Sequence, residues 1–166
     1  FESASMKPLA AYTMPAVEEK PVYLAMEELN EVGMQVFAAG KVRFFRADTG
    51  AAVADYQVAV PEGVSITSIA VNTEESHLLV AGLSNGKAVV FKHQYRVSYP
   101  GDKRVIEPYL DYPFGEEPLV ISATGKPLQT IAVRDKTSAL LIVAFDGTQL
   151  SGVKFSKEED FMSDAI

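Results

Sequence analysis

Three times along this 166-residue chain a short apolar run, a polar turn, a second apolar run and a glycine turn follow one another at almost constant spacing. The clearest copy is Ile66 to Phe91, ITSIAVNTEESHLLVAGLSNGKAVVF. Ile66 to Val71 is apolar, Asn72 to Ser76 is polar, and His77 to Leu83 is rich in Leu and Val. Ser84-Asn85-Gly86 then reads as a tight hairpin turn, because Asn-Gly tolerates the positive φ that two-residue loops require. Lys87 to Phe91 makes the third run. Short runs bounded by such punctuation predict three antiparallel strands in sequence, a meander.

The plan recurs upstream in Val22–Met26, Val32–Ala38 and Lys41–Phe45, and downstream in Leu128–Val133, Ala139–Phe145 and the run after Thr148. Aligning the copies on Ala25, Ala70 and Ala132 places Gly40, Gly86 and Gly147 at 15, 16 and 15 residues further on. Repetition of one sheet unit is the mark of propeller blades, each a four-stranded antiparallel meander. The expectation is therefore an all-β chain, a partial β-propeller of about three blades, with a β-sandwich as the alternative.

Residues 1–20 contain Pro8 and Pro15 and read as an extended lead segment in which Leu9, Ala10 and Tyr12 could add an edge strand. Blades follow at about 21–60, 64–99 and 128–160. Val53–Val60, after the turn Asp48-Thr49-Gly50, is the expected fourth strand of the first blade. Gln94–Tyr99, where Tyr95, Val97 and Tyr99 alternate with polar residues, is that of the second. Residues 100–127 hold five prolines, which remove ladder donors, so this stretch is a long connection with short strands near Arg104–Ile106 and Leu119–Ser122. Ser156 with Glu159 in the capping-box position predicts a closing helical turn. Three blades do not close a ring, since about four is the smallest number that does. Because the chain opens on Phe1, a fragment or processed product is expected, with further blades supplied elsewhere; unpaired sheet edges would invite a homodimer.

The formal net charge is −7, which opposes general binding to nucleic acid or anionic membranes. There is no cysteine, so disulfides, thiolate metal sites and a cysteine nucleophile are excluded. No run of about 20 apolar residues predicts a membrane span, and no signal peptide is visible.

Little in the chain carries chemistry. His77 and His93 are the only histidines, with no HExxH or HxH spacing for zinc. Ser84 sits in a hairpin turn rather than in a GxSxG elbow. The adjacent acidic pairs, such as Glu27-Glu28 and Glu74-Glu75, point to opposite faces of an extended chain and suit solvated turns better than paired catalysis. No glycine-rich phosphate loop occurs, and Asp146-Gly147-Thr148 is too short for a calcium loop. The residues thus predict no catalytic centre, cofactor or metal, and a propeller-enzyme fragment is the least supported reading. One charge feature stands out: Lys92, His93, Arg96, Lys103 and Arg104 cluster with Tyr95 and Tyr99 in an otherwise acidic chain. Lys92, Arg96, Lys103 and Arg104 are candidate contacts for an anion or an acidic partner; the alternative is counter-charge for nearby carboxylates.

The stretches Tyr23–Phe45 (YLAMEELNEVGMQVFAAGKVRFF), His93–Pro118 (HQYRVSYPGDKRVIEPYLDYPFGEEP) and Phe155–Phe161 (FSKEEDF) give the chain a family likeness. It resembles the large extra-membrane insertion of long phosphate-type ABC transporter permeases of proteobacteria, a WD-like propeller region that follows the first membrane helix. The resemblance implies a periplasmic domain of an inner-membrane protein involved in phosphate import. It implies as partners the remainder of the permease, an ATPase subunit and a periplasmic phosphate-binding protein. The domain's role there is expected to be an interaction or regulatory platform, or alternatively the sensing of an anion or small ligand. The resemblance carries no transport residue onto this stretch.

Overall fold

A computed structural model of the chain describes residues 6–8, 11, 13, 19–29, 31–72 and 77–156. These residues form twelve strands in three antiparallel sheets. The first sheet is β1 (Pro21–Met26), β2 (Val32–Phe37), β3 (Lys41–Arg46) and β4 (Ala52–Gln57), paired in chain order. The second is β5 (Ile66–Val71), β6 (Leu78–Leu83), β7 (Lys87–Ser98) and β8 (Val105–Asp111), with β9 (Leu119–Val120) also paired to β7. The third is β10 (Thr130–Asp135), β11 (Ala139–Phe145) and β12 (Leu150–Ser156). A single 3₁₀ turn at Pro100–Asp102 is the only helical element among the described residues, and none there is long and apolar enough to cross a membrane. The all-β antiparallel class expected from the residues is what the chain adopts. The edge strand expected at Leu9, Ala10 and Tyr12, residues 73–76 of one polar turn, and the helical turn with Glu159 lie outside the described residues; Ser156 itself ends β12.

The sheets stack in series, and β6 shows why. Successive side chains of a strand point to opposite faces, yet all six residues of β6 are buried. Leu79, Ala81 and Leu83 pack into a core with Val32, Met34, Val36, Val42 and Phe44 of the first sheet. Leu78 and Val80, on the other face, pack with Leu128, Ile131, Leu140, Ile142 and Ala144 at the third. A side chain of this size contributes about 1.5–3 kcal/mol when fully buried, so the middle sheet is the main source of cohesion.

The packing repeats with the sequence. Leu79, Ala81 and Leu83 lie seven, five and three residues before Gly86, and they face backwards onto the first sheet. Leu140, Ile142 and Ala144 hold the same positions before Gly147 and face backwards onto the second. Each sheet thus offers its front to the next sheet's back, the relation between successive propeller blades. The first strands β1, β5 and β10 lie beside one another in that order. The sheets are stitched by Ile66 N–H donating to Ala38 C=O in the β2–β3 turn (2.8 Å), by the Thr67 and Ser68 hydroxyls donating to Leu128 C=O (both 2.7 Å), and by Asp135 N–H donating to Asn72 Oδ1 (3.1 Å).

The glycine turns behave as expected, with one change of loop length. Pairing of Gly82 with Ala88 leaves a three-residue loop, Ser84-Asn85-Gly86, in which only Gly86 takes a positive φ (83°). That is the three-residue hairpin with glycine in the left-handed position, rather than a two-residue Asn-Gly loop.

The second sheet corrects the strand assignment. Lys87 to Ser98 is one unbroken strand, because KAVVFKHQYRVS has no glycine or proline to turn it; the turn comes at Pro100-Gly101. Gln94–Tyr99 is therefore not the fourth strand of a blade. Register identifies what is. In the first sheet Lys41, next after Gly40, pairs with Gln57, and Val58 N–H then donates to Gly40 C=O (2.9 Å). In the second, Lys87, next after Gly86, pairs with Val120, and Ile121 and Ser122 N–H donate to Gly86 C=O (3.1 and 2.9 Å). The short strand β9 is the blade's fourth strand, and the hairpin from His93 through β8 to Pro118 is inserted ahead of it. Pro108 sits in β8, an edge strand whose outer side needs no donor. The expected four strands are met in the first sheet and, through β9, in the second, which carries β8 in addition; the third has three among the described residues.

Candidate functional site

The inserted hairpin leans over the first sheet. Tyr95, Ile106, Leu110 and Tyr112 pack against the core shared by the first two sheets. Tyr95 and Tyr56 stand edge-on to Phe44, with ring centroids 5.9 and 5.8 Å away, a favourable aromatic geometry. The Tyr56 hydroxyl donates to Pro108 C=O (2.8 Å), and Arg104 Nε donates to Glu31 Oε2 (2.8 Å). Three contacts, Tyr95 on Phe44, Tyr56 on Pro108 and Arg104 on Glu31, thus fix the hairpin's orientation.

Where hairpin and first sheet meet, the two histidines come together. Leu78 pairs with Lys92, so the register carries His77 opposite His93. Their rings stack at 4.6 Å with planes 15° apart. His77 Nδ1 lies 3.2 Å from His93 C=O and its Nε2 lies 3.2 Å from Glu28 Oε1. Both partners are acceptors, so both hydrogen bonds coexist only on the protonated ring. His77 also holds φ at +53°, a left-handed conformation that non-glycine residues seldom adopt. His93 is buried, and its Nδ1 hydrogen-bonds the Tyr95 hydroxyl (2.8 Å). Burial, and after it the charge of His77, pulls the His93 imidazole down to about 4. Burial, and after it Glu27, raises the Tyr95 phenol. Both groups are accordingly neutral at neutral pH.

Glu27 is buried as well, and its carboxylate accepts from Leu29 and Glu31 N–H, which closes the β1–β2 turn beneath the cluster. A cavity of about 170 Å³ opens here between Glu27, Glu28, His77 and Tyr95. Glu28 is bonded to His77, Glu27 to backbone amides and Tyr95 to His93, so the arrangement is that of a clasp between blade and hairpin. Among the described residues no three His, Cys, Asp or Glu side chains are placed to hold a metal ion.

The four predicted contact residues divide. Residues 96–104, the far end of the hairpin, are all exposed, and this tip carries Arg96, Lys103 and Arg104 beside Val97 and Tyr99. Lys92 lies on the same face of β7 as Arg96 but four residues away, about 13 Å along the strand. The Arg96 guanidinium rests 4.2 Å above the Tyr109 ring, a cation–π contact. Arg104 is turned to Glu31 of the first sheet. Three of the four cations thus share one protruding tip, two of them positioned by other side chains, and Lys92 stands at its base.

Sequence reasoning missed the histidine stack. The signal was available: His77 and His93 are equidistant from Asn85, the middle of the hairpin loop, which makes them cross-strand neighbours. Asp146, set aside as a calcium ligand, proves to be a staple. It accepts from the Ser122 and Thr124 hydroxyls (3.0 and 2.6 Å) and from Thr148 and Gln149 N–H (3.0 and 2.9 Å). The Thr124 hydroxyl first, then those backbone donors, hold its carboxyl far below the usual range. It ties the segment after β9 to the turn of the third sheet. No protein-family model matches the chain, and no curated protein matches it.

Proposed function

We propose that this chain is a non-catalytic interaction domain built of propeller blades, and that it meets its partner through the tip of the inserted hairpin. The supporting observation is the hairpin itself: an excursion that the blade plan does not need, anchored at its base and presenting nine consecutive exposed residues. Exposed Tyr and Arg on a fixed support match the composition of binding hot spots. Cations on a chain of net charge −7 favour an acidic partner surface. With the likeness of Tyr23–Phe45 and His93–Pro118 to permease insertions, the reading is a periplasmic platform of a phosphate ABC transporter permease. It works alongside the rest of the permease and its ATPase subunit, and the tip contacts the periplasmic phosphate-binding protein.

Titration of the domain with the cognate phosphate-binding protein tests this. Binding that weakens with salt and drops at least tenfold in the double variant Arg96→Glu/Lys103→Glu is expected. An absence of binding, or unchanged affinity in the variant, would remove the tip from the account. The anion-sensing alternative predicts instead a rise in melting temperature with millimolar phosphate, polyphosphate or sulfate.

A further inference from the structure

Two carboxylates of the β1–β2 turn reach other parts of the chain. Glu31 Oε2 accepts from Arg104 Nε on the hairpin tip (2.8 Å), and Glu28 Oε1 lies 3.2 Å from Nε2 of His77, the residue before β6. Glu27 ties the turn together, since its carboxylate accepts from Leu29 N–H (2.8 Å) and Glu31 N–H (2.6 Å). The two attachments differ in kind. An arginine keeps its charge at every pH a protein meets, whereas a histidine does not. His77 Nδ1 has the His93 carbonyl at 3.2 Å, so the ring stands between two acceptors. Imidazolium donates from both nitrogens; neutral imidazole donates from one and turns a lone pair on the other acceptor. The bond given up is the one to Glu28. That side chain is 76% exposed and its carboxylate can return to water, while the His93 carbonyl is fixed on β7, where His93 N–H donates across the strands to His77 C=O (3.3 Å).

The other titratable groups that face the ring, among the described residues, keep one state around neutral pH. His93, stacked on it, and Tyr95, whose ring centroid is 6.0 Å away, are both neutral there, and Glu27 is engaged by the turn amides. We propose that the proton on His77 fastens the β1–β2 turn, and through it the Arg104 side of the hairpin tip, and that its loss frees Glu28 and loosens both. The fastening is present on the acid side of the His77 titration and is lost as pH rises through it. As regulation of a partner contact it rests on the tip being one; the switch itself needs no partner.

Nuclear magnetic resonance on the isotope-labelled chain tests this between about pH 5 and about pH 8, the range in which imidazoles change charge. The readout is local, because His93 acts on global stability in the opposite direction. The His77 ring nitrogens report the proton, while the Glu28 amide and the Arg104 Nε–H report the turn and the tip. One shared midpoint is expected, with protection of the Leu29 and Glu31 amides falling about two- to fivefold across it, as for the loss of an exposed ion pair. In Glu28→Gln the carboxamide can donate to the neutral ring, so the ring titrates while protection stays level. Asparagine accepts the left-handed backbone, so His77→Asn keeps the fold, shows no pH step and has low protection throughout. Turn signals that stay still while the ring titrates, a ring that keeps one state across the range, a Glu28→Gln profile like that of the unmodified chain, or a pH step left in His77→Asn would each overturn the proposal. Failure of the phosphate-binding protein to bind would remove the partner and leave these signals as expected.

Discussion

Alanine at Gly86 should cost far more than alanine at Gly63, although both glycines take nearly the same φ (+83° and +79°). The left-handed conformation costs an L-residue about 1–2 kcal/mol at either site. The surroundings differ. A Cβ on Gly63 would meet nothing within 4 Å, whereas one on Gly86 would lie 2.8 Å from Ser122 C=O and 3.1 Å from Gly125 Cα. Those atoms are backbone and belong to the segment that crosses the turn, so they yield only if the segment shifts. Overpacking of this kind adds about 1–3 kcal/mol. Gly63→Ala should therefore lose about 1–2 kcal/mol and Gly86→Ala about 2–5 kcal/mol. The gain from restricting the unfolded chain is common to both and cancels in the comparison. Urea titration reads the difference as a midpoint lowered about twofold more, or beyond, in Gly86→Ala, with similar slopes. Hydrogen exchange supplies a local readout: the Ile121 and Ser122 amides, which donate to Gly86 C=O, lose protection only in Gly86→Ala. Equal midpoints for the two variants would refute the claim that β9 and the crossing segment complete the second blade.

Folding stability should fall as the pH drops from about 6.5 to about 4, because unfolded His93 takes up a proton at the ordinary imidazole value while the folded one resists until about 4. The contribution is present above 6.5 and amounts to about 3 kcal/mol between those limits; His93→Gln should flatten that part of the pH–stability profile, and an unchanged slope would contradict it. Tyr56→Phe removes the donor to Pro108 C=O and should cost about 1 kcal/mol, with faster amide exchange confined to β8. Arg104→Ala breaks an exposed pair with Glu31 and should change stability by less than about 1 kcal/mol, so a large loss would show that this pair, rather than the aromatic contacts, holds the hairpin.

Local punctuation was legible in the residues. Glycine, proline and polar turns delimit strands because they alone accept the required φ or lack the donor, and Gly40, Gly86 and Gly147 all take positive φ in turns. The first meander was placed within two residues except at the end of its fourth strand, where Val58 leaves the ladder to cross the Gly40 turn. Non-local pairing was not legible. Nothing in KAVVFKHQYRVS says whether residues beyond Phe91 pair with β6 or project past it, since alternation looks alike in both cases. The two-residue strand β9 is too short to show a period; only its register against Lys87 and Ala88 identifies it. The basic residues of the tip were visible, but their separation from Lys92 depends on where the hairpin turns, which Pro100-Gly101 sets. The histidine cluster was hidden because each member is unremarkable along the chain and acquires its meaning across it.

The serial stack depends on a middle sheet packed on both of its faces, and two adjacent truncations on β6 test that most directly. Leu78 faces the third sheet and Leu79 the first, and both are fully buried. Leu78→Ala and Leu79→Ala should each lower unfolding free energy by about 2–5 kcal/mol in urea titrations. A large loss for one and a negligible loss for the other would mean that one face of β6 is open to solvent, and the serial stack would be contradicted.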